Sequence, residues 1–298
     1  MTFLESAKIR EKRNRAMLTN RLLLCTDMDR TVIPNGHQPE HPEARKRFRQ
    51  LCNLPEIKLA YVTGRHLQLV KRAIAEYNLP NPEYAITDVG TKIYRRIQNK
   101  WSELLPWQSI IAKDWKGNTP AQLQQSLKEI SDITLQEQSK QSDFKLSYYL
   151  PLNVEHKKVI AEIEHRLTQL GVAASLIFSI DEVKQIALLD ILPLNATKLH
   201  AIEFLRQHLG YGMEETIFAG DSGNDLQVLG SSIRSILVAN ADPDIKREAL
   251  QLAEKNSCTK SLYLARDDNF PLGGNYAAGV LQGVIFFIPE IEKPLILS

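Results

Sequence analysis

Residues 22–36, LLLCTDMDRTVIPNG, pass from an apolar run directly into two aspartates and a Pro-Asn-Gly turn. The apolar half is typical of a buried β-strand. In an extended chain Asp27 and Asp29 share one face, with their Cα atoms about 7 Å apart. Such a pair needs a cation or a shared proton, and it suits a nucleophile beside a general acid and base. An ordinary polar strand exit explains these residues equally well, and the spacing does not decide which aspartate would be the nucleophile.

Short β-rich runs alternate with helical patterns outward from this stretch. The strand-like runs are residues 21–26, 57–63, 84–87, 215–220 and 235–240, and the helical patterns after the first two are residues 42–53 and 66–78. These are βαβ units, which build a parallel sheet covered by helices. The sequence therefore predicts an α/β fold with a Rossmann-like, doubly wound parallel sheet as its core, and ligands collect at the carboxyl ends of such strands.

Residues 107–189 have a different character and predict an inserted, smaller α/β domain. Helical patterns cover residues 119–139 and 154–172, and strand-like runs cover residues 144–150, 174–180 and 185–193. None of these segments carries acidic residues of the kind that follow residue 26. We therefore expect residues 1–106 and 190–298 to form the core and residues 107–189 to form a cap over it.

Composition excludes several classes of function. The chain has 298 residues, with 37 Lys and Arg against 35 Asp and Glu. The resulting net charge of +2 gives no indication of binding to nucleic acid or to an anionic membrane. No segment approaches the roughly 20 apolar residues that span a bilayer. The three cysteines are far apart and lack metal-site spacing, which favours a reducing cytoplasm. Residues 1–20 have scattered basic residues and are expected to form a short helix or arm.

Residues 60–65, AYVTGR, form a second polar strand exit. The strand-like run ends at Thr63, and Gly64 lets the backbone turn closely. A threonine hydroxyl together with the first N–H groups of the next helix can hold an oxyanion. A simple turn stabilised by the Thr63 hydroxyl explains the same pattern and is the commoner case.

Residues 218–229, FAGDSGNDLQVL, form the third such exit. A helix that begins near Asn224 would let Asp221 and Asp225 bracket one point, and a few oxygen ligands of this kind suit Mg²⁺. Acidic residues at a helix N-terminus are the alternative, because the helix dipole favours them there. Lys198 lies in the first turn of another predicted helix, where the dipole disfavours a cation, and a nearby anion would explain this position.

Four motifs in this order resemble those of the haloacid dehalogenase superfamily of aspartate-dependent phosphohydrolases. They are DMDRT, VTGR, the lysine at position 198 and GDSGND. The insertion resembles the α/β cap of that superfamily. Residues 59–94, 144–150 and 275–287 are most similar to its sucrose-6-phosphate phosphatase family. Arg30 in the first motif and residues 187–198 depart from the pattern, and Arg30 has no assigned role.

The resemblance implies a role for each matching residue. Asp27 would attack phosphorus and form an aspartyl-phosphate. Asp29 would protonate the leaving sugar oxygen and then deprotonate the hydrolytic water. Thr63, the backbone of Gly64 and Lys198 would hold the phosphoryl oxygens. An acid two residues after the nucleophile serves an alkoxide leaving group, so the resemblance favours a phosphatase over a dehalogenase.

The resemblance also implies a Mg²⁺ site. Asp27 would bind the ion through its carboxylate and Asp29 through its backbone carbonyl. Asp221 would be a further ligand, and Asp225 would bind directly or through water. Asn224 would orient this outer shell and contact the substrate. Thr31 is expected only to support the local turn.

The cap is expected to choose the substrate by closing over the site. Strand alternation in residues 144–150 places Lys145, Ser147 and Tyr149 on one face, which suits a sugar. Lys145 also matches a cap lysine of the sucrose-phosphatase pattern, although a solvated strand face is an equal alternative. Further candidates for sugar contacts lie in the core loops, namely Arg65, His66, Asp88 and Thr91.

We therefore expect a Mg²⁺-dependent phosphatase of sucrose 6-phosphate or a related disaccharide phosphate. The alternatives are a phosphatase of a hexose, amino-sugar or glycosyl-polyol phosphate (mannosylfructose-phosphate-like), a phosphomutase, and a catalytically silent partner of a sugar-phosphate synthase. A homodimer and an association with such a synthase are both left open as states of assembly.

Overall fold

The computed structural model describes residues 21–181, 185–268 and 270–291, so the predicted helix or arm at residues 1–20 lies outside the described part. Its strands fall into two sheets. They are β1 (Leu22–Thr26), β2 (Ile57–Val62), β3 (Tyr84–Thr87), β4 (Lys92–Ile97), β5 (Lys100–Glu103), β6 (Thr134–Leu135), β7 (Leu146–Leu150), β8 (Ala174–Asp181), β9 (Ile186–Pro193), β10 (Thr216–Gly220), β11 (Arg234–Leu237) and β12 (Leu262–Leu264).

Helices follow most of the strands of the core. The helices are α1 (Ala44–Cys52), α2 (Leu67–Glu76), α3 (Leu105–Ile111), α4 (Pro120–Leu127), α5 (His156–Gln169), α6 (Lys198–His208), α7 (Leu226–Leu229), α8 (Pro243–Lys255) and α9 (Ala277–Phe287). No helix among residues 21–181, 185–268 and 270–291 has the length and apolar character needed to cross a membrane.

The larger sheet has eight strands in the order β12-β11-β10-β1-β2-β3-β4-β5. The strands from β12 to β3 are parallel, and β4 and β5 add an antiparallel edge. Both faces of β1 are buried, since Leu22 and Leu24 pack in one hydrophobic core and Leu23 and Cys25 in another. This explains the unbroken apolar run at the start of the chain's first motif, because a strand covered on both faces needs no alternation. The predicted fold class is confirmed.

A separate antiparallel sheet has the order β6-β7-β9-β8. It consists of the inserted residues together with residues 190–193, which complete β9 and belong to the cap sheet in this structure. Leu146, Tyr148 and Leu150 of β7 pack in a third core together with residues of α4 and α5. The helix predicted at residues 119–139 is wrong beyond Leu127, where α4 ends. Thr119 and Gln122 cap its start reciprocally, but the chain must turn back so that β6 can pair with β7, and this tertiary pairing overrides local helix preference.

Three strands of the core sheet, β4, β5 and β12, have no counterpart among the strands predicted from the sequence. Gln98 and Asn99 form the two-residue turn between β4 and β5, and both have left-handed φ angles, of 47° and 67°. Such turns match the twist of a hairpin and favour asparagine. The Gln-Asn pair was therefore the available signal for this hairpin.

Candidate active site

Three adjacent parallel strands of the core sheet end at the same edge of the sheet, and each is followed there by a polar residue. β1 ends at Thr26, β2 at Val62 and β10 at Gly220, and each is followed by a predicted site residue, namely Asp27, Thr63 and Asp221. β1 lies between the other two strands. All three side chains are nearly inaccessible to solvent, so polar groups that strand exits usually expose are buried together here. This burial distinguishes the site from an ordinary polar strand exit.

Lys198 lies at the centre of this cluster as the first residue of α6. Its Nζ donates to Asp225 Oδ1 at 2.7 Å and to Asn224 Oδ1 at 2.8 Å, and it lies 3.3 Å from Asp27 Oδ2. Burial alone would lower the pKa of Lys198, but Asp225 and Asp27 raise it above its ordinary value. The lysine is therefore a buried cation, and the anion predicted from its position at the helix start is present.

Asp225 is held from two sides. Its Oδ2 accepts hydrogen bonds from the backbone N–H of Asp221 at 3.0 Å and from that of Ser222 at 3.1 Å. The close approach depends on Gly220, because a Cβ there would lie 2.5 Å from Asp225 Oδ2. The helix expected to begin near Asn224 starts as the 3₁₀ turn Gly223–Asp225, and the α-helix α7 follows directly at Leu226.

The three aspartates fit a divalent cation. Carboxylate oxygens of Asp27, Asp221 and Asp225 all lie within 4.8 Å of one another. Burial raises the pKa of Asp27, and burial together with the charge of Asp225 raises the pKa of Asp221 to about 6. The two positive charges of Lys198 and of Arg30, whose Nε lies 3.1 Å from Asp221 Oδ2, do not balance three buried carboxylates. Oxygen ligands of this kind are those that Mg²⁺ prefers.

Asp29 points its carboxylate to Arg65. Arg65 Nε donates to Asp29 Oδ2 at 2.7 Å, and Nη2 donates to Oδ1 at 2.6 Å. Asn35 Nδ2 donates a third hydrogen bond to Oδ1 at 2.8 Å. Burial raises the pKa of Asp29, but the hydrogen bonds and charge of Arg65 outweigh it, so the pKa lies below its ordinary value. Arg65, predicted as a substrate contact, is thus a partner of Asp29 in this structure.

Thr63 and Gly64 lie in the turn after β2. The Thr63 side chain is buried, and its Oγ1 accepts a hydrogen bond from the backbone N–H of Arg65 at 3.2 Å. This is the turn that the alternative interpretation of the motif predicted. His66 follows it as the N-cap residue of α2.

The loop after β3 presses against the start of α6. Gly90 has a φ of 106°, and a Cβ there would lie 2.6 Å from the carbonyl carbon of Thr197, immediately before Lys198. Asp88 and Val89 in the same loop also have left-handed φ angles, of 50° and 61°, and Val89 is β-branched, for which this conformation is strained. Trp107 Nε1 donates to the Gly90 carbonyl at 2.8 Å and so ties the beginning of the insertion to this loop.

The cap presents three polar side chains together, from Lys145 just before β7, Ser147 on β7 and Asp190 on β9. Lys145 Nζ lies 3.3 Å from Asp190 Oδ2, and Ser147 Oγ donates to Asp190 Oδ1 at 2.5 Å. Ser147 pairs directly with Asp190 in the sheet register. The predicted alternation of β7 is confirmed, since its apolar residues pack in the cap core while Lys145 and Ser147 meet Asp190.

Burial raises the pKa of Asp88 in the core loop after β3, while a hydrogen bond from Thr87 and the charge of Lys145 act against that rise. A role for Lys145 and Asp88 in sugar binding stays a prediction. Thr91, predicted as a sugar contact, is fully buried and donates to the Asp88 carbonyl at 3.1 Å.

Sequence reasoning missed three residues of this site. Asp190 carried a signal, because an aspartate within the otherwise apolar strand run at residues 185–193 is unusual. Thr31 was assigned to the local turn, yet its Oγ1 donates to Asp221 Oδ1 at 3.1 Å. Arg30 had no assignment, and its Nε donates to Asp221 Oδ2 at 3.1 Å. Neither long-range contact has a sequence signal, because the partners are about 190 residues apart.

Known proteins resemble the chain over most of its length. The chain is 47% identical over 274 residues to a protein of Nitrosococcus oceani described as a HAD-like hydrolase, which covers 92% of this chain and 73% of the relative. It is 30% identical over 269 residues to the mannosylfructose-phosphate phosphatase of Agrobacterium fabrum, which covers 88% of this chain and 95% of that protein.

A solved structure and a family model agree with these relatives. The sucrose-phosphatase of Synechocystis, solved with sucrose and phosphate, superposes with a TM-score of 0.68 at 25% identity, covering 90% of this chain and 98% of that one. The family model for sucrose-6F-phosphate phosphohydrolase matches residues 20–288. The chain therefore belongs to the sucrose-6F-phosphate phosphohydrolase family, and it is a sugar-phosphate phosphatase of the haloacid dehalogenase superfamily.

Proposed function

We propose that this chain is a Mg²⁺-dependent phosphatase of sucrose 6-phosphate or a related disaccharide phosphate, acting through an aspartyl-phosphate. The observation that carries the proposal is the buried cluster in which Lys198 lies 3.3 Å from Asp27 Oδ2 and 2.7 Å from Asp225 Oδ1. A carboxylate is a weak nucleophile towards a phosphate dianion unless positive charge offsets the repulsion. Lys198 supplies one such charge at the reacting group.

The proposed reaction has two steps. A carboxylate oxygen of Asp27 bonds to phosphorus while the bond from phosphorus to the sugar oxygen breaks. Asp29, once it has taken up a proton against the influence of Arg65, gives that proton to the sugar oxygen. Asp29 then takes a proton from a water molecule that attacks the aspartyl-phosphate, which releases inorganic phosphate, restores the Asp27 carboxylate and returns Asp29 to its protonated form. Thr63, the backbone N–H of Gly64 and Lys198 hold the phosphoryl oxygens in both transition states.

Asp27, Asp221, Asp225 and the backbone carbonyl of Asp29 would hold the Mg²⁺ ion. The proximity and burial of the three carboxylates support this assignment. The ion would supply charge stabilisation for the transferring phosphoryl group. Asn224 supports the arrangement by fixing Lys198 rather than by a contact to an aspartate, since its Oδ1 accepts from Lys198 Nζ.

The polar side chains of the cap favour a sugar as the leaving group. Lys145 just before β7, Ser147 on β7 and Asp190 on β9 offer an ammonium, a hydroxyl and a carboxylate, and the charge of Lys145 acts on Asp88 of the core. Sugar hydroxyls both donate and accept hydrogen bonds, so mixed donors and acceptors suit them. The structural relative was solved with sucrose, and the relative from Agrobacterium fabrum is named for mannosylfructose phosphate, which makes that disaccharide phosphate the second candidate.

A panel assay tests the proposal. Phosphate release is measured from disaccharide phosphates and monosaccharide phosphates, with and without Mg²⁺, for the wild type and for Asp27→Asn. We expect Mg²⁺-dependent turnover that is fastest on a disaccharide phosphate and is lost in Asp27→Asn. Equal rates on both classes would refute the disaccharide preference. Absence of turnover on every sugar phosphate would instead favour the silent partner of a synthase.

Location and assembly are separate from this assay. A cytoplasmic location, and either a homodimer or a complex with a sugar-phosphate synthase, stay predictions of the sequence.

A further inference from the structure

Arg30 occupies a backbone conformation that is unusual for a residue with a side chain. Its φ angle is 56°, in the left-handed region that favours glycine. Two asparagines hold the conformation from both sides. The Arg30 N–H donates to Asn35 Oδ1 at 2.8 Å, and the Arg30 carbonyl accepts from Asn240 Nδ2 at 2.7 Å. These contacts involve only the backbone of Arg30, so they do not explain why the side chain is an arginine.

The side chain of Arg30 reaches into the carboxylate cluster. Its Nε donates to Asp221 Oδ2 at 3.1 Å, and its Nη2 donates to the Asn240 carbonyl at 3.1 Å. Thr31 Oγ1 donates to the other oxygen of Asp221. The Asp221 side chain is 3% exposed and that of Arg30 is 41% exposed. Asp221 therefore has a protein donor on each oxygen, and one of the two carries a full positive charge.

We propose that Arg30 sets the affinity of the site for its divalent cation by competing electrostatically for Asp221. The inference rests on the proposed Mg²⁺ site. A metal ion bound by Asp221 and the guanidinium of Arg30 are like charges on one carboxylate, and their repulsion weakens metal binding. In the metal-free chain the positive charge of the same guanidinium offsets the negative charge of Asp221, whose carboxylate lies beside those of Asp27 and Asp225.

Orientation of Asp221 by Arg30 would act in the opposite direction. A ligand that is held in place binds a metal more tightly, so loss of an orienting hydrogen bond weakens binding. Thr31 already fixes one oxygen of Asp221, and the side chain is almost completely buried. Repulsion is therefore the larger of the two effects of Arg30.

Three substitutions separate charge from backbone strain. Arg30→Gln removes the charge and keeps a side chain at the left-handed position. Arg30→Lys keeps the charge, and Arg30→Gly removes both the charge and the strain. Arg166→Gln is the matched control, because it removes an arginine that pairs with Glu162 on α5 of the cap.

The experiment is calorimetric titration of the metal-free full chain with Mg²⁺, repeated with Mn²⁺. We expect Arg30→Gln and Arg30→Gly to bind about tenfold more tightly than the wild type, whereas Arg30→Lys and Arg166→Gln stay within about threefold. The metal-free unfolding temperature of Arg30→Gln falls, and added Mg²⁺ restores it.

Two outcomes would overturn the inference in different ways. Weaker or unchanged metal binding by both Arg30→Gln and Arg30→Gly would show that the guanidinium only orients Asp221 or stabilises the loop. No binding of either metal by the folded wild type would refute the proposed Mg²⁺ site, and the inference with it.

Discussion

The guanidinium of Arg65 binds both carboxylate oxygens of Asp29, at 2.7 and 2.6 Å. This pair joins the loops after two neighbouring strands, β1 and β2, and it controls the proposed proton carrier of the reaction. A bidentate contact of this kind fixes orientation as well as charge. We therefore expect Arg65 to act on the reaction through Asp29.

Arg65→Gln is expected to change the pH dependence of turnover. Arg65 holds the pKa of Asp29 below its ordinary value, so loss of the guanidinium raises that pKa. A proton donor works below its pKa, and the basic limb of kcat against pH should therefore move to higher pH. Arg65→Lys, which keeps the charge, should move it less. An unmoved limb in Arg65→Gln, or a shift to lower pH, would contradict the role assigned to Asp29.

Asp29→Asn should discriminate between leaving groups. An alkoxide needs a proton as it leaves, whereas p-nitrophenolate is a stable anion. We expect formation of the aspartyl-phosphate from a sugar phosphate to slow by about 10²- to 10⁴-fold, and that from p-nitrophenyl phosphate to slow at least about tenfold less. Rapid-quench measurement of the first turnover gives both rates. Equal losses on the two substrates would show that Asp29 is only a structural partner of Arg65.

Mg²⁺ should stabilise the protein more at high pH than at low pH. Burial and the charge of Asp225 raise the pKa of Asp221 to about 6 in the folded chain. A raised pKa gives the fold stability that is fully present below the unfolded-state pKa and is lost as pH rises through about 6. A bound cation replaces that stability by pairing with the ionised carboxylates.

Differential scanning calorimetry checks this linkage. The rise in Tm on addition of Mg²⁺ should be larger at about pH 7.5 than at about pH 5.5. Asp221→Asn is the control and should show a smaller rise than the wild type, with a smaller difference between the two pH values. A rise that is equal at the two pH values in the wild type would argue against metal binding by Asp221.

Much of the fold and the site follows from the sequence, and the exceptions share a physical cause. Runs such as residues 21–26 are buried on both faces of the sheet, so they are continuously apolar and can be recognised as strands from the local sequence alone. The short strand β6 exists only because β7 pairs with it, and Thr31 and Arg30 reach a residue on another strand exit. Local patterns carry periodicity and turn chemistry, but they do not carry pairings across long sequence separations.

Lys145→Gln tests the assignment of the cap to sugar recognition. Loss of one charged hydrogen bond to the sugar should raise KM for the preferred disaccharide phosphate about tenfold. Turnover of p-nitrophenyl phosphate, which has no sugar, should be unchanged. Lys157→Gln is the matched control, because Lys157 is an exposed lysine of the same cap. An equal KM in the wild type and Lys145→Gln would leave Lys145 as only the ion-pair partner of Asp190.

The proposed reaction requires that Asp27, beside Lys198 and the other two aspartates, becomes phosphorylated during turnover. Acid-quenching of the enzyme in the steady state, followed by proteolysis and mass spectrometry, tests it directly. We expect one phosphoryl group on the carboxylate of Asp27 in the wild type and none at this position in Asp27→Asn, which should also fail to turn over. Phosphate release without a phosphoryl group on Asp27, or undiminished turnover by Asp27→Asn, would contradict it.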